Sequence, residues 1–430
     1  MSVSRYIRPL GVFALLAGVG VLGMFATLGS KSASAHDNDD QSSWNVRPWE
    51  IKHVFVIALE NHNWTQPTTV SGGIEPVAGN ANAPFINSLV NGTAQVFIDG
   101  RLVNVSEQVS YATAYHNVLA TASGNNPHIH PSEPNYLWAE AGTNFGIAND
   151  DDPYADNPPN AQNTTQHLTG LLQRAGKSWK SYQEDIDLMT NASGQFINLP
   201  LPENLWTVPL VSHSGVFGPG SLLNAYNDSV QYNYAVKHNG MPFFTDTNGG
   251  NNTTTSNPLR TKYAPLQQLA FDLASDEVAD YNWITPDQYN EMHSGLTGGF
   301  AGVTGDAAMI KAGDNAVSRL VPLIMASKAY KDGGAIILWW DESESDGVAG
   351  DNADNFDHTI GEILISPLAH RNEGGLPYAS SINYTHSSDL RTMQEIFHVR
   401  GTGASPYLGD AVNATDLSDM FEPGVIPTQP

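Results

Sequence analysis

His53 to Leu59 reads HVFVIAL, an almost unbroken apolar run too short to cross a bilayer and the right length for a strand buried on both faces. Gly334 to Trp340 repeats the pattern as GAIILWW, and Thr359 to Ser366 gives a third apolar run that stops at Pro367. Ser178 to Tyr182 alternates like a strand, and Val278 to Ile284 reads as another. Helical spacing falls between them. It covers Ala83 to Leu89 with Pro84 in the first turn, and Thr165 to Ala175 closed by Gly176. It also covers Ser221 to His238, Leu266 to Ser275, Asn315 to Tyr330 and Ser387 to Phe397. Gln95 to Val103 is expected to be a hairpin turning at Asp99-Gly100. Asn125 to Asn135, Asn149 to Gln166 and Asn248 to Asn257 read as loops, with a helix from Tyr136 to Ala141 after Pro134. Strands alternating with helices predict an α/β fold with a parallel or mixed sheet. There is no internal repeat and no composition break, so a single domain over residues 44–421 is expected, followed by a Pro-rich tail over 422–430.

The N-terminus modifies that picture. Arg5 and Arg8 precede an apolar stretch from Gly11 to Gly29, and Ala33-Ser34-Ala35 offers a small-x-small cleavage site. Residues 1–35 are therefore expected to be a signal peptide, residues 36–43 a flexible acidic leader, and the mature protein secreted or periplasmic, with no stable membrane span after cleavage. An uncleaved anchor is the competing reading, because the apolar stretch is long for a signal.

The chain of 430 residues carries 19 Lys+Arg against 44 Asp+Glu, a formal charge of −25. That balance argues against nucleic acid and anionic membrane surfaces as partners. It leaves anionic substrates open, because a metal ion inverts the local field. Cysteine is absent, which removes disulfides, thiolate catalysis and Cys-based metal sites.

Two of the buried strands run directly into acidic or amide residues. Glu60-Asn61 follows the first and Asp341-Glu342 the second. Open α/β sheets place ligands at such strand ends. If the two strands are neighbours, four oxygen-bearing side chains converge and suit a hard divalent cation. If they are not, these are solvated surface acids. Ser132 lies between Pro131 and Pro134, just before a predicted helix, where it is either a plain cap or a nucleophile beside a metal. His293 follows the strand ending near Ile284, and His386 precedes a helix. Either histidine could serve a phosphate oxygen or a leaving group, or could instead fill a core.

Taken in order, several pieces resemble one family. They are Ile51 to Asn61, His130-Pro131-Ser132-Glu133-Pro134-Asn135-Tyr136, Ser178 to Glu184, Lys237-His238-Asn239, Ile284 to Asn290, Trp340-Asp341-Glu342-Ser343, Tyr384-Thr385-His386 and Leu390-Arg391-Thr392. The chain from about Ile51 to Phe421 resembles the phosphoesterases that include secreted acid phosphatases and bacterial phospholipases C. The resemblance implies an alkaline-phosphatase-like α/β sandwich, with a central mostly parallel sheet flanked by helices. It also implies that Glu60, Asn61, Asp341, Glu342 and Ser132 hold a divalent ion (Mg, Ca, Mn or Zn). Ser132 would be the nucleophile, and His293 and His386 phosphate-site histidines, with His130 as a further candidate. Asp357-His358 resembles the Asp-His pair of the phospholipase members and implies support around the metal. Trp179, Tyr182 and Glu184 are candidates for the pocket lining, or else core and surface residues. The sequence departs from the family's pattern at Gly240-Met241, at Ser123 to Ile129 and at Asn248 to Asn257, which puts pocket shape and substrate choice in question.

The expected activity is that of a secreted metal-dependent phosphomonoesterase, an acid phosphatase working through a phosphoserine on a small phosphate ester. A phospholipase C or other phosphodiesterase acting on phospholipid is the enzymatic alternative. It is disfavoured by the His130-Pro131-Ser132 form and by the lack of a lipid-binding domain after Phe421. An inactive relative serving as a surface binding protein is the third reading.

Overall fold

The computed structural model describes residues 50–66, 75–117, 129–343, 358–372 and 374–427. The expected signal peptide, the leader and Asp357 lie outside the described residues. Eight strands form the main sheet: β1 (His53–Leu59), β2 (Val109–Ala112), β3 (Trp179–Gln183), β4 (Tyr263–Pro265), β5 (Tyr281–Thr285), β6 (Gly334–Trp340), β7 (Glu362–Ile365) and β8 (Tyr378–Ser380). Their order across the sheet is β4-β3-β5-β1-β6-β7-β2-β8. The pairs on either side of β1 are parallel, and β7 runs antiparallel to both β6 and β2. The sheet is therefore mostly parallel with one reversed strand, as the apolar runs and the resemblance predict.

β1 and β6 are the two most apolar strands, and they sit side by side in the middle. Every residue of β6 is buried, as are six of the seven in β1. Strands covered on both faces lose all contact with water, so uninterrupted apolar runs belong there. Their register pairs Ile57 with Leu338 and Leu59 with Trp340, so the next residues, Glu60 and Asp341, leave the sheet at the same edge.

The helices that matter for the site are α1 (Pro84–Val90), α2 (Ser132–Ala141), α3 (Leu168–Arg174), α4 (Gln268–Ser275), α5 (Asp306–Ala326) and α6 (His386–Ile396). Nine of the ten residues of α2 are buried, including Ser132, Glu133, Asn135 and Glu140. α5 holds α1 through a side chain: Asp314 accepts from the amides of Phe85 at 3.2 Å and Ile86 at 2.8 Å. These are first-turn donors of α1 that its own Ala83 cannot satisfy. α6 starts with a capping box between Thr385 and Ser388.

Three sequence expectations are corrected. Ser221 to His238 is not a helix; it is turns, the strand Gln231–Tyr234 and a single 3-10 turn, Val236–His238. Local hydrogen bonds took the backbone. Asn224 accepts from the amides of Tyr226 and Asn227, Asn227 accepts from Ser229, and Asp228 has φ +56. α2 begins at Ser132, four residues before the expected Tyr136, because Pro134 lies in the first turn, where a missing N–H costs nothing. The helix expected over Asn315 to Tyr330 starts earlier, at Asp306, and gives way after Ala326 to a short turn over Lys328–Lys331. Beyond Phe421 the chain stays packed: Glu422 N–H bonds the Leu368 carbonyl at 3.0 Å, and Val425 and Ile426 are buried. No helix among the described residues is long and apolar enough to cross a membrane.

Candidate active site

The edge where β1 and β6 end is covered by the N-terminus of α2. This brings together residues 72 and 210 positions apart in sequence. Ser132 Oγ lies 3.0 Å from Glu60 Oε2 and 3.3 Å from Glu342 Oε1. The Asn61 backbone N–H donates to Asp341 Oδ1 at 3.2 Å, and its side-chain amide reaches Glu342 Oε1 at 3.4 Å. Asn61 has φ +46, a left-handed conformation that Asn tolerates better than most residues and that turns the chain just past β1. α2 contributes two more contacts. Asn135 Nδ2 donates to Glu342 Oε2 at 3.1 Å, and the Tyr136 hydroxyl donates to Glu60 Oε1.

The histidines take different places. His130 Nδ1 is 2.7 Å from Glu342 Oε2, with its side chain 38% exposed. His293 is partly buried, its ring centre 5.2 Å from that of His238. His386 is fully engaged. Trp339 Nε1–H donates to its Nδ1 at 3.1 Å, which fixes the proton on Nε2, and that nitrogen donates to the Asp341 carbonyl. Tyr115 closes the arrangement, its hydroxyl 2.9 Å from the same Nδ1 and bonded to Asp389. His358 is buried, and neither ring nitrogen makes a hydrogen bond.

Several participants were not singled out in the sequence. His238 Nε2 lies 3.4 Å from Glu60 Oε1 and its Nδ1 2.5 Å from Glu291 Oε1, both carboxylates fully buried. Ligand atoms of Glu60, His238 and His293 lie within 4.8 Å of one another. Lys237 reaches Asp150 Oδ2 at 2.7 Å, and Asp150 Oδ1 accepts from the Glu133 amide at 3.1 Å. The Lys237-His238-Asn239 segment sits on a 3-10 turn, which periodicity does not reveal; its only signal was the motif itself.

The electrostatics follow from crowding acids out of water. Burial, then the charges of Asp341 and Glu291, push the Glu60 carboxyl well above its usual range. Burial and Glu342 do the same to Asp341, and burial and Asp341 to Glu291. Burial, then Lys237, lowers His293 to about 4, and burial lowers His386 to about 3, so these imidazoles are neutral at pH 7. Burial alone would lower Lys237, but Glu60 and Asp150 outweigh it and keep the ammonium charged.

This donor set fits a divalent cation. Asp341 Oδ2, Glu291 Oε2 and His238 Nε2 are buried and make no hydrogen bond. Such atoms are costly unless something compensates them. Glu60, Asn61, Ser132, Asp341 and Glu342 would supply the hard oxygen donors, and His238 and His293 flank Glu60 with nitrogen. A second acidic trio, Glu184, Asp185 and Asp287, is also close-set and buried. Asp185 Oδ1 and Asp287 Oδ2 there likewise make no hydrogen bond, but Glu184 already accepts four, from Asn224, the Asp287 amide and, at both oxygens, Asn290. That spends the lone pairs of both its oxygens. Glu184 therefore belongs to this buried network, while Trp179 and Tyr182 are core, Tyr182 donating to Asp272 at 2.7 Å.

Comparison with known proteins places the chain. The model of the Phosphoesterase family matches residues 104–400. A protein of Kluyveromyces lactis named "Probable acid phosphatase" is 23% identical over 295 residues, which is 68% of this chain and 55% of that protein, so the match spans about half the relative's length. Among solved structures, the chain is similar to a protein in the alkaline phosphatase superfamily from Vibrio parahaemolyticus. That match has 11% identity and a TM-score of 0.37, over 81% of this chain and 67% of the other. A Bacteroides thetaiotaomicron protein solved in work on glycosaminoglycan metabolism has 10% identity and a TM-score of 0.42, over 86% of this chain and 81% of its own.

Proposed function

The chain belongs to the Phosphoesterase family, and from that premise we propose that it is a metal-dependent phosphomonoesterase of the acid phosphatase kind, working through Ser132. The observation that carries the reading is the Ser132 hydroxyl at the buried start of α2, 3.0 Å from Glu60 and 3.3 Å from Glu342, where β1 and β6 end together.

Glu60, Asn61, Ser132, Asp341 and Glu342 are the residues assigned to the metal. When bound, a divalent ion there would acidify the serine hydroxyl and draw charge from the phosphoryl oxygens. The protein's own part is placement and proton handling. Ser132 is fixed by the helix it begins, so its oxygen meets phosphorus from one direction. Its proton passes to Glu60 Oε2, a carboxylate whose buried setting makes it a better base than an exposed one. The serine O–P bond forms as the bond to the leaving alcohol breaks, and that alcohol takes a proton from His130, whose Nδ1 is 2.7 Å from Glu342 Oε2. Water then attacks the phosphoserine, giving up one proton to restore His130, and Ser132 recovers its own proton from Glu60 as phosphate leaves. We assign His386 a positioning role, because both its nitrogens are taken and one of them holds the Asp341 carbonyl.

The basic-apolar-small N-terminus supports export of the protein. The test is phosphate release from p-nitrophenyl phosphate and phosphocholine release from phosphatidylcholine, across pH, with and without EDTA. Release from the monoester that EDTA abolishes supports the reading. Preference for the lipid moves it to a phospholipase C. No release from either with any added divalent ion leaves a binding protein.

A further inference from the structure

We infer that Lys237 is a catalytic cation that contacts the substrate's phosphoryl oxygens and favours dianionic monoesters over monoanionic diesters, with Asp150 occupying the ammonium until the substrate's anion takes its place. The inference rests on the function proposed above and adds a group to it.

The geometry runs through three short contacts. Lys237 belongs to the single 3-10 turn Val236–His238, and the next residue, His238, lies on Glu60 at 3.4 Å and Glu291 at 2.5 Å. The lysine side chain is only 14% exposed, and its Nζ is 2.7 Å from Asp150 Oδ2. The other oxygen of Asp150 accepts from the Glu133 amide at 3.1 Å, the N–H that directly follows Ser132. One carboxylate thus bridges an ammonium and a backbone N–H beside the serine. Its two oxygens are spaced much as two non-bridging oxygens of a phosphoryl group are. An ammonium and the backbone N–H next to Ser132 thus already hold a pair of oxygens between them, as a phosphoryl group would require. Asp150 is itself 32% exposed, so it has solvent to turn into when an anion takes its place.

Charge argues the same way. The charges that act most strongly on Glu60 and Glu291 are those of neighbouring carboxylates and of Lys237. An incoming phosphate monoester dianion meets that acidic wall, and a fixed ammonium offsets it. A diester carries one negative charge fewer and has less to lose when the ammonium is removed.

The test compares wild type, Ser132→Ala, Lys237→Met and Lys237→Arg on p-nitrophenyl phosphate and bis(p-nitrophenyl) phosphate. Bound metal and circular dichroism are measured for each. Lys237→Met is expected to lower kcat/KM for the monoester about 100-fold, the scale of losing one transition-state donor. It should lower kcat/KM for the diester about tenfold or less, and weaken inhibition by inorganic phosphate. Lys237→Arg should recover part of the loss. If Lys237→Met does not fold, Lys237→Gln is read in its place. A neutral variant within about threefold of wild type on the monoester, with unchanged phosphate inhibition, overturns the inference while an inactive Ser132→Ala leaves the proposed function standing. If wild type releases no phosphate, that function fails by itself. Calorimetry with inorganic phosphate then decides for the lysine: weaker binding by Lys237→Met supports it, and equal binding overturns it.

Discussion

The helix that carries Ser132 is tied at its far end by a buried histidine, and replacing that histidine gives a measurable result. His167 is fully buried between two carboxylates, with Nδ1 3.0 Å from Glu140 Oε2 on α2 and Nε2 2.8 Å from Asp246 Oδ1. Its ring stacks on Phe244 with centres 3.9 Å apart. His167→Phe keeps a stacked ring and removes both carboxylate contacts, along with the weaker Nδ1 contacts to the Thr169 hydroxyl at 3.0 Å and the Gly170 amide at 3.4 Å. Breaking a buried pair from one side costs about 3–5 kcal/mol. Here Glu140 Oε2 keeps the amide of Thr169 at 3.0 Å and its hydroxyl at 2.8 Å, and the Asp246 side chain is 24% exposed. Those compensations bring the expected loss to about 2–3 kcal/mol. Its pH dependence has a definite sign. Burial works against the imidazolium, but Asp246 and Glu140 outweigh it and raise the folded pKa above the ordinary 6.5. The charged tie therefore contributes fully below about pH 6.5 and fades as pH rises through the folded value. Urea unfolding of both proteins at pH 5, 7 and 9 measures this, reading midpoints at constant m. A difference below about 1 kcal/mol at pH 5, or one that grows toward pH 9, refutes the reasoning.

Other outcomes follow from the same structure. Ser132→Ala should cut p-nitrophenyl phosphate turnover by about three orders of magnitude or more with unfolding unchanged; turnover within tenfold of wild type removes the serine from the chemistry. Chelation followed by dialysis should abolish activity, and a divalent ion should restore it; full activity at a metal content near zero contradicts the cation assignment. Asp314→Ala should lower stability by about 1–2 kcal/mol by uncapping α1, without changing KM; a stability change near zero would show that α1 does not depend on that cap. Mass measurement of the protein exported from its native host should give an N-terminus at His36; an intact N-terminus identifies residues 1–35 as an anchor.

The sheet was legible where burial left the sequence no alternative. His53–Leu59 and Gly334–Trp340 were read with their observed bounds because strands covered on both faces admit no polar interruption. Their adjacency was not legible, since nothing in either run names its partner across 280 residues. Periodicity misled over Ser221 to His238. Leu222, Leu223 and Val230 have helical spacing but are exposed, and Asn and Asp turn bonds set the backbone. In the site, acidic residues at strand ends announced themselves by position. His238, Glu291 and Lys237 did not, because they reach it from turns and loops, where no period marks which side chains face inward.

The paired ends of β1 and β6 also bear on how such a chain can vary. The two acids are handed over by hydrogen-bond register, Leu59 against Trp340, and not by any of the intervening loops. A single-residue deletion within either strand would exchange its two faces and turn its acid toward the wrong layer. Long insertions elsewhere would leave that meeting point untouched. A chain on this plan can thus diverge widely in surface and length while the central ladder keeps the two acids side by side.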